Sequence, residues 1–148
     1  MDSSVRIRVA AVIQRDGALL MVRHLKAGRT YWMLPGGGVD HGETMAEALV
    51  RELREEVCIE IAPGPLVLAS DAIAPDGARH VVNLCFLADH VGGTPRVGGD
   101  ERIVEVAWQP IGGLPALPMF PDFGPTLAEL ARQGFPGRAP NLGNLWRD

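Results

Sequence analysis

Residues 5–14 are rich in β-branched positions, Val5, Ile7, Val9, Val12 and Ile13, which predicts a strand. Asp16-Gly17 is a turn signal and Leu19–Arg23 a second apolar run, so the two runs predict a β-hairpin. Residues 28–42 read as a loop, because Tyr31-Trp32-Met33-Leu34-Pro35-Gly36-Gly37-Gly38 cannot continue a helix. The stretch Glu43–Val57 has neither Gly nor Pro across 15 residues and predicts the one long helix. Leu66–Ile73 and His80–Leu87 read as strands on either side of a Pro75-Asp76-Gly77 turn. In Arg102–Trp108, Ile103, Glu105 and Ala107 alternate with Val104, Val106 and Trp108, which predicts another strand. Seven of the twelve prolines fall in Pro110–Pro140, around one short helix at about Pro125–Arg132. The segment 110–148 also holds Leu114, Leu117, Met119, Phe120, Phe123, Leu142, Leu145 and Trp146. It is too apolar for a solvated linker, so it is expected to pack on the domain or on a second subunit, as in a homodimer. The order of elements predicts a mixed α/β fold with helices packed on sheet faces.

A chain of 148 residues fits one domain, 1–148, able to bury a core of its own. The net charge of −4 argues against a protein that binds the nucleic-acid backbone. It suits small ligands carried with a divalent cation. Cys58 and Cys85 form neither a disulfide framework nor a metal-ligand spacing, and His24, His41, His80 and His90 are scattered and read as incidental. No basic region followed by an apolar run opens the chain, and no apolar stretch approaches the roughly 20 residues of a membrane helix. The expected location is the cytoplasm, with no membrane partner.

At about 100° per residue, with Leu49 at zero, Met45, Ala46, Val50, Leu53 and Val57 fall on one apolar stripe. Glu52, Glu55 and Glu56 then share one flank, with Glu56 at the border of that stripe. Glu52 and Glu56 repel at i,i+4, and Glu55 and Glu56 lie at the end of the helix that disfavours negative charge. Such a flank is either a solvated acidic face, braced by Arg51 pairs, or a cation site. Hard divalent ions take carboxylate oxygens, and no His or Cys adjoins the three glutamates to favour zinc. The glycine triplet before the helix allows the backbone to approach an anion or metal closely.

Gly37, Glu43, Arg51-Glu52-Leu53, Glu55-Glu56 and Ile59 stand at spacings that resemble the Nudix box, here spanning residues 37–59. The preceding Trp32-Met33-Leu34-Pro35-Gly36-Gly37 run and the later Glu105-Val106-Ala107-Trp108 segment are also similar to the family, from Val5 to about Leu114. Cys58 departs from the pattern, replacing a glycine that follows the helix. The resemblance implies an α/β/α sandwich with a mixed sheet. It also implies hydrolysis of a nucleoside diphosphate linked to another moiety X, giving a nucleoside monophosphate and phosphorylated X. Mg²⁺ or Mn²⁺ is implied as the cofactor. By position, Glu52, Glu55 and Glu56 are implied metal ligands, with the Gly37 carbonyl as one more. Glu43 and Arg51 are implied as a pair bracing loop against helix. A further acidic ligand from a later loop is expected at Glu101, then at Asp100. Glu55 or Glu52 is expected to accept the proton from the attacking water.

For the substrate, Arg23 stands where some members contact phosphate, and Tyr31 or Phe86 is a candidate for stacking on a base. Pro75 stands at a spacing similar to a marker of ADP-ribose-cleaving members, although the turn explains it equally well. ADP-ribose or another nucleotide sugar competes with damaged nucleoside triphosphates as substrate. The alternative of another class is a module of the same fold that senses a nucleotide without cleaving it, though such modules usually lose box carboxylates. Residues 37–59 hold six acids and two bases, so the whole acidic surplus of the chain sits in the box.

Overall fold

Strand β1 (Arg6–Val12) buries both of its faces at its C-terminal end. Val9 and Ala11 enter one apolar cluster, and Ala10 and Val12 enter another. This is the pattern of a central strand, whose side chains alternate between two covered faces. The computed structural model describes residues 4–146.

β1 pairs antiparallel with β5 (Gly36–Gly38) on one side and parallel with β7 (His80–Gly92) on the other. β6 (Glu60–Ile73) continues the sheet antiparallel to β7, and β9 (Asn141–Asn144) lies parallel to β6 at the edge. The order is β5-β1-β7-β6-β9. A second, four-stranded sheet is built on β3 (Ala18–Lys26), which pairs antiparallel with β2 (Gln14–Arg15), β4 (Arg29–Met33) and β8 (Ile103–Pro110).

The expected hairpin is present but shorter. It joins β2 to β3 through Asp16 and Gly17, both at positive φ (48° and 77°), as a tight two-residue turn requires. β1 itself does not pair with β3, because the chain leaves the first sheet at the buried Ile13. The stretch 28–42, expected as a loop, contains β4 and β5. Glycines concealed β5: a Cβ at Gly36 would collide with the Val9 carbonyl, so the close pairing of Gly36 with Ala10 needs a residue without a side chain. β6 begins at Glu60, before Pro63-Gly64-Pro65, and accommodates that segment by register shifts.

Helix α1 (Met45–Val57) starts after Thr44 rather than at Glu43. The Thr44 hydroxyl accepts from the Glu47 N–H at 3.1 Å, and the Glu47 carboxylate accepts from the Thr44 N–H at 3.4 Å, a reciprocal cap. Its buried residues are Ala48, Leu49, Leu53, Glu56 and Val57, whereas Met45 and Ala46 are exposed. The buried stripe is thus rotated toward the glutamates, and Glu56 lies inside it. α1 packs with Val9, Ala11, Leu20 and Val22. Helix α2 (Gly124–Arg132) packs Leu127, Ala128 and Leu130 with Ala10, Val12, Leu19 and Met21. The result is an α/β/α sandwich. The proline-rich segment lies on the α2 side of the same domain, with Leu114, Met119 and Phe123 buried and Leu117, Leu142 and Leu145 packed against them. Among the described residues no helix is long and apolar enough to cross a membrane.

α1 ends at Cys58, whose φ of 62° is left-handed and whose N–H donates to the Leu53 carbonyl. A side chain there costs about 1 kcal/mol relative to glycine. Cys58→Gly should therefore stabilise the protein by about 1 kcal/mol, read as a higher denaturant midpoint at constant slope. A lower midpoint would show that the cysteine side chain contributes more than the backbone strain removes.

Candidate active site

One guanidinium organises the residues around β5 and α1. Arg51 donates from Nε and Nη2 to both oxygens of Glu43, at 2.7 and 2.8 Å. Nη2 also reaches the Gly38 carbonyl at 3.0 Å. Nη1 donates to Glu52 at 2.9 Å and to Glu55, one turn on, at 3.3 Å. The paired guanidinium, assisted by the Asp40 N–H, holds the Glu43 carboxyl down to about 2. The glycine strand, the turn before α1 and two of its three flank carboxylates thereby share one cation.

Glu56 is held differently. It is 5% exposed, and its Oε1 accepts the Gly36 N–H at 3.0 Å. Burial pushes its carboxyl up to about 7, against the opposing pull of Arg8 and that N–H. Burial also raises Glu52, although Arg51 acts in the other direction. A Cβ at Gly37 would fall on the Glu52 carboxylate, so this glycine makes room for it.

Glu52, Glu56 and Asp100 line a cavity of about 290 Å³. The same three, with Glu55 and Gly99, line an adjoining hollow of about 340 Å³. Asp100 arrives there because the preceding loop caps α1. The N–H groups of Arg96, Gly98 and Gly99 donate to the Val57, Glu56 and Glu55 carbonyls at 3.1, 3.0 and 3.2 Å, which satisfies the free end of the helix. A Cβ at Gly98 would collide with the Glu55 carbonyl. Asp100 is bound by Arg102 through both carboxylate oxygens, which keeps its carboxyl below the ordinary range. The rest of the first cavity is basic, with Arg6, Arg8, Lys26, Arg79 and Arg102, and partly aromatic, with Tyr31 and Phe120.

Carboxylates around a glycine backbone form a set of hard oxygen donors, which fits Mg²⁺ or Mn²⁺ and not zinc. Among the described residues no three His, Cys, Asp or Glu side chains are gathered closely enough to hold a metal as they stand. Arg51 engages Glu52 and Glu55, and the Gly36 N–H engages Glu56. An ion at this position would have to compete with those bonds.

The expected site residues divide cleanly. Gly37, Glu43, Arg51, Glu52, Glu55 and Glu56 are brought together, and Tyr31 lines the same cavity. Glu101 is exposed and lines neither hollow; its neighbour Asp100 does. Arg23 points to the other face of β3 from His24 and Lys26, and donates to Glu105 at 2.9 Å. Phe86 is on the other face of β7 from Asn83 and packs in the α1 cluster, beside Met45 and Leu49. Pro75 occupies a turn closed by the Gly77 N–H on the Ala74 carbonyl, and lines neither hollow. Sequence reading missed Arg6, Arg8, His24, Lys26, Arg79, Asn83 and Arg102. The strand period supplied the available signal, since Arg6 and Arg8, like His24 and Lys26, are two apart.

A family model for the NUDIX domain matches residues 4–130. A protein of Methanocaldococcus jannaschii named ADP-ribose pyrophosphatase is 31% identical over 100 residues, which are 67% of this chain and 59% of that protein. The human 8-oxo-dGDP phosphatase NUDT18 is 34% identical over 104 residues, 69% of this chain and 31% of that one. The matched stretch is thus little more than half of the archaeal relative and under a third of the human one. The crystal structure of a MutT NUDIX hydrolase from Burkholderia pseudomallei superposes with a TM-score of 0.74 at 31% identity, covering 85% of this chain and 97% of that chain. Family members generally use divalent metals. With the match running from before β1 through most of α2, on an α/β/α sandwich whose glycine strand and glutamate helix meet at Arg51, the chain belongs to the Nudix hydrolase family.

Proposed function

We propose that the chain hydrolyses the pyrophosphate bond of a nucleoside diphosphate linked to another moiety, giving a nucleoside monophosphate and phosphorylated X, with Mg²⁺ or Mn²⁺. The observation that carries this reading is the two-signed cavity, which Glu52, Glu56 and Asp100 line together with Arg6, Arg8, Lys26, Arg79 and Arg102. Phosphates need cationic donors, and a cation between phosphate and protein needs carboxylates. A bound divalent ion supplies charge neutralisation at the phosphoryl oxygens and acidifies water there. Glu52, Glu55, Glu56, Asp100 and the Gly37 carbonyl are the groups that would hold it. Of the two candidate bases we favour Glu52, because it lines both hollows, including the one that holds the basic side chains, whereas Glu55 lines only the other. Arg51 and Glu43 keep that carboxylate aimed while the basic side chains orient the phosphates. Tyr31 offers a ring face to the base. ADP-ribose is the first substrate to test, since the archaeal relative bears that name.

Incubation with Mg²⁺ and a panel of ADP-ribose, nucleotide sugars, dinucleoside polyphosphates and nucleoside triphosphates should release a nucleoside monophosphate from at least one of them. Binding without turnover of any would favour a nucleotide-sensing module instead.

Two variants test the metal end. Asp100→Asn should raise the Mg²⁺ concentration for half-maximal rate about tenfold, whereas Glu101→Gln should change it less than about twofold. The reverse order would return the ligand role to Glu101. Glu56, with its carboxyl at about 7 in the fold against 4.5 unfolded, binds more proton in the native state between those values. In protein freed of divalent ions, its contribution to stability is therefore full below pH 4.5 and is lost as pH rises through about 7. The loss is about 3 kcal/mol. Relative to Glu56→Gln, the wild type should lose stability across that window in urea titrations, and Mg²⁺ should reduce the loss. A flat difference would show that Glu56 does not titrate there.

A further inference from the structure

A buried polar atom without a partner calls for an explanation. Among the described residues three side-chain atoms are buried with no hydrogen-bond partner in the protein: His24 Nε2, Ser70 Oγ and Asn83 Nδ2. Two of the three belong to residues that line the cavity shared by the carboxylates and the basic side chains. His24 is 8% exposed and Asn83 is 3% exposed. They reach the cavity from different sheets. His24 stands on β3 opposite Tyr31, and Asn83 stands on β7 between Arg8 of β1 and Ser70 of β6. Asn83 and Ser70 are cross-strand neighbours, yet the amide nitrogen and the hydroxyl leave each other unpaired.

Packing does not account for the pair. A leucine and a phenylalanine would occupy similar volumes without desolvating a donor. The identity of the missing partner follows from what else lines the cavity. Arg6, Arg8, Lys26, Arg79 and Arg102 already offer cationic donors for anionic oxygens. The Asn83 amide carries no charge, and burial, helped by Arg8, Arg102 and Lys26, keeps the His24 imidazole below its ordinary range and so neutral. Neutral, directional groups fix orientation and specificity, and they match neutral polar atoms. The His24 ring also lies 5.7 Å from Tyr31, which meets Phe120 edge-on at 5.9 Å, so an aromatic wall adjoins the polar atoms. A nucleoside combines a flat ring with uncharged donors and acceptors.

We propose that His24 and Asn83 bind the uncharged half of the substrate, the nucleoside, through polar atoms of its base or sugar, while the basic side chains take the phosphates. This rests on the nucleotide-hydrolase reading and adds two specificity residues to it.

Equilibrium binding without divalent ions tests the assignment. His24→Phe keeps a ring against Tyr31 but has no nitrogen, and Asn83→Leu keeps the volume but has no amide. Each should weaken binding of a nucleoside monophosphate at least about tenfold, or about 1.4 kcal/mol. Inorganic pyrophosphate should bind within about twofold of wild type, and the Tm of the free protein should not fall, because an unpartnered polar atom has been removed. An equal loss for pyrophosphate, or a lower Tm with nucleotide binding intact, overturns the proposal. Ribose against 2′-deoxyribose monophosphates, and a series of the four bases, separate the two sources. A sugar preference lost in the variants assigns the contact to the hydroxyls, and a base preference lost assigns it to the base edge. If the wild type turns over nucleotides and the variants keep its KM, this inference fails while the hydrolase reading stands. If the variants weaken binding but the wild type hydrolyses nothing, the hydrolase reading fails alone.

Discussion

The Arg51 guanidinium is the interaction on which the rest of the site depends. A planar cation with five N–H donors can meet Glu43 on one edge and still reach Gly38, Glu52 and Glu55. A lysine ammonium has no second edge to offer. Without that charge, the carboxylates of Glu43, Glu52 and Glu55 would face one another across the loop and the helix with no cation between them. With it, the loop and helix are held as one piece and the carboxylate flank keeps its direction. The glycines answer the same constraint from the backbone side, since side chains at Gly36 or Gly37 would occupy the space taken by Val9 and Glu52.

Glu56 shows the opposite strategy. Its carboxylate is placed within the buried stripe of α1 with one N–H partner, where neutralisation by a proton becomes favourable near neutral pH. A fold selected for stability alone would place an apolar residue between Leu53 and Val57. The neighbouring Asp100 is delivered by a loop whose glycines bond the last carbonyls of the same helix. One helix terminus thus sets the positions of the buried acid, the exposed acid and the acid from the distant loop.

Helix α1, its glutamate flank and the Glu43–Arg51 pair were legible because helical spacing and caps are local properties of the sequence. The strands were legible as apolar runs, but their ends were not: β6 continues through two prolines that signal a break. β5 was hidden because a strand of three glycines has no side-chain pattern to read, and β4, just before it, reads together with that glycine run as one loop. The misplaced residues share one cause. Arg23 is an odd number of positions from His24 and Lys26, as Phe86 is from Asn83, and in a strand an odd offset exchanges faces. The order of Glu101 and Asp100 was not legible for a related reason: two adjacent acids in a turn cannot be ranked until the bonds of Gly98 and Gly99 to the helix bring Asp100 to the hollows. The apolar stripe of α1 was misjudged at its start, because Met45 and Ala46, in the first turn, stay exposed beside an open hollow against Pro63 and Phe86.

The passage of the chain from one sheet to the other at Ile13 has a mechanical consequence. Arg8 and Asn83 belong to one ladder, His24 and Tyr31 to another, and the cavity lies between them. No strand pairing joins the two ladders among the described residues. The two walls therefore meet through packed side chains, Val9 and Ala11 with Leu20 and Val22 on one face and Ala10 and Val12 with Leu19 and Met21 on the other, and not through a shared strand ladder. The carboxylate end differs, because backbone groups of β5 tie it down directly, the Gly36 N–H through Glu56 and the Gly38 carbonyl through Arg51.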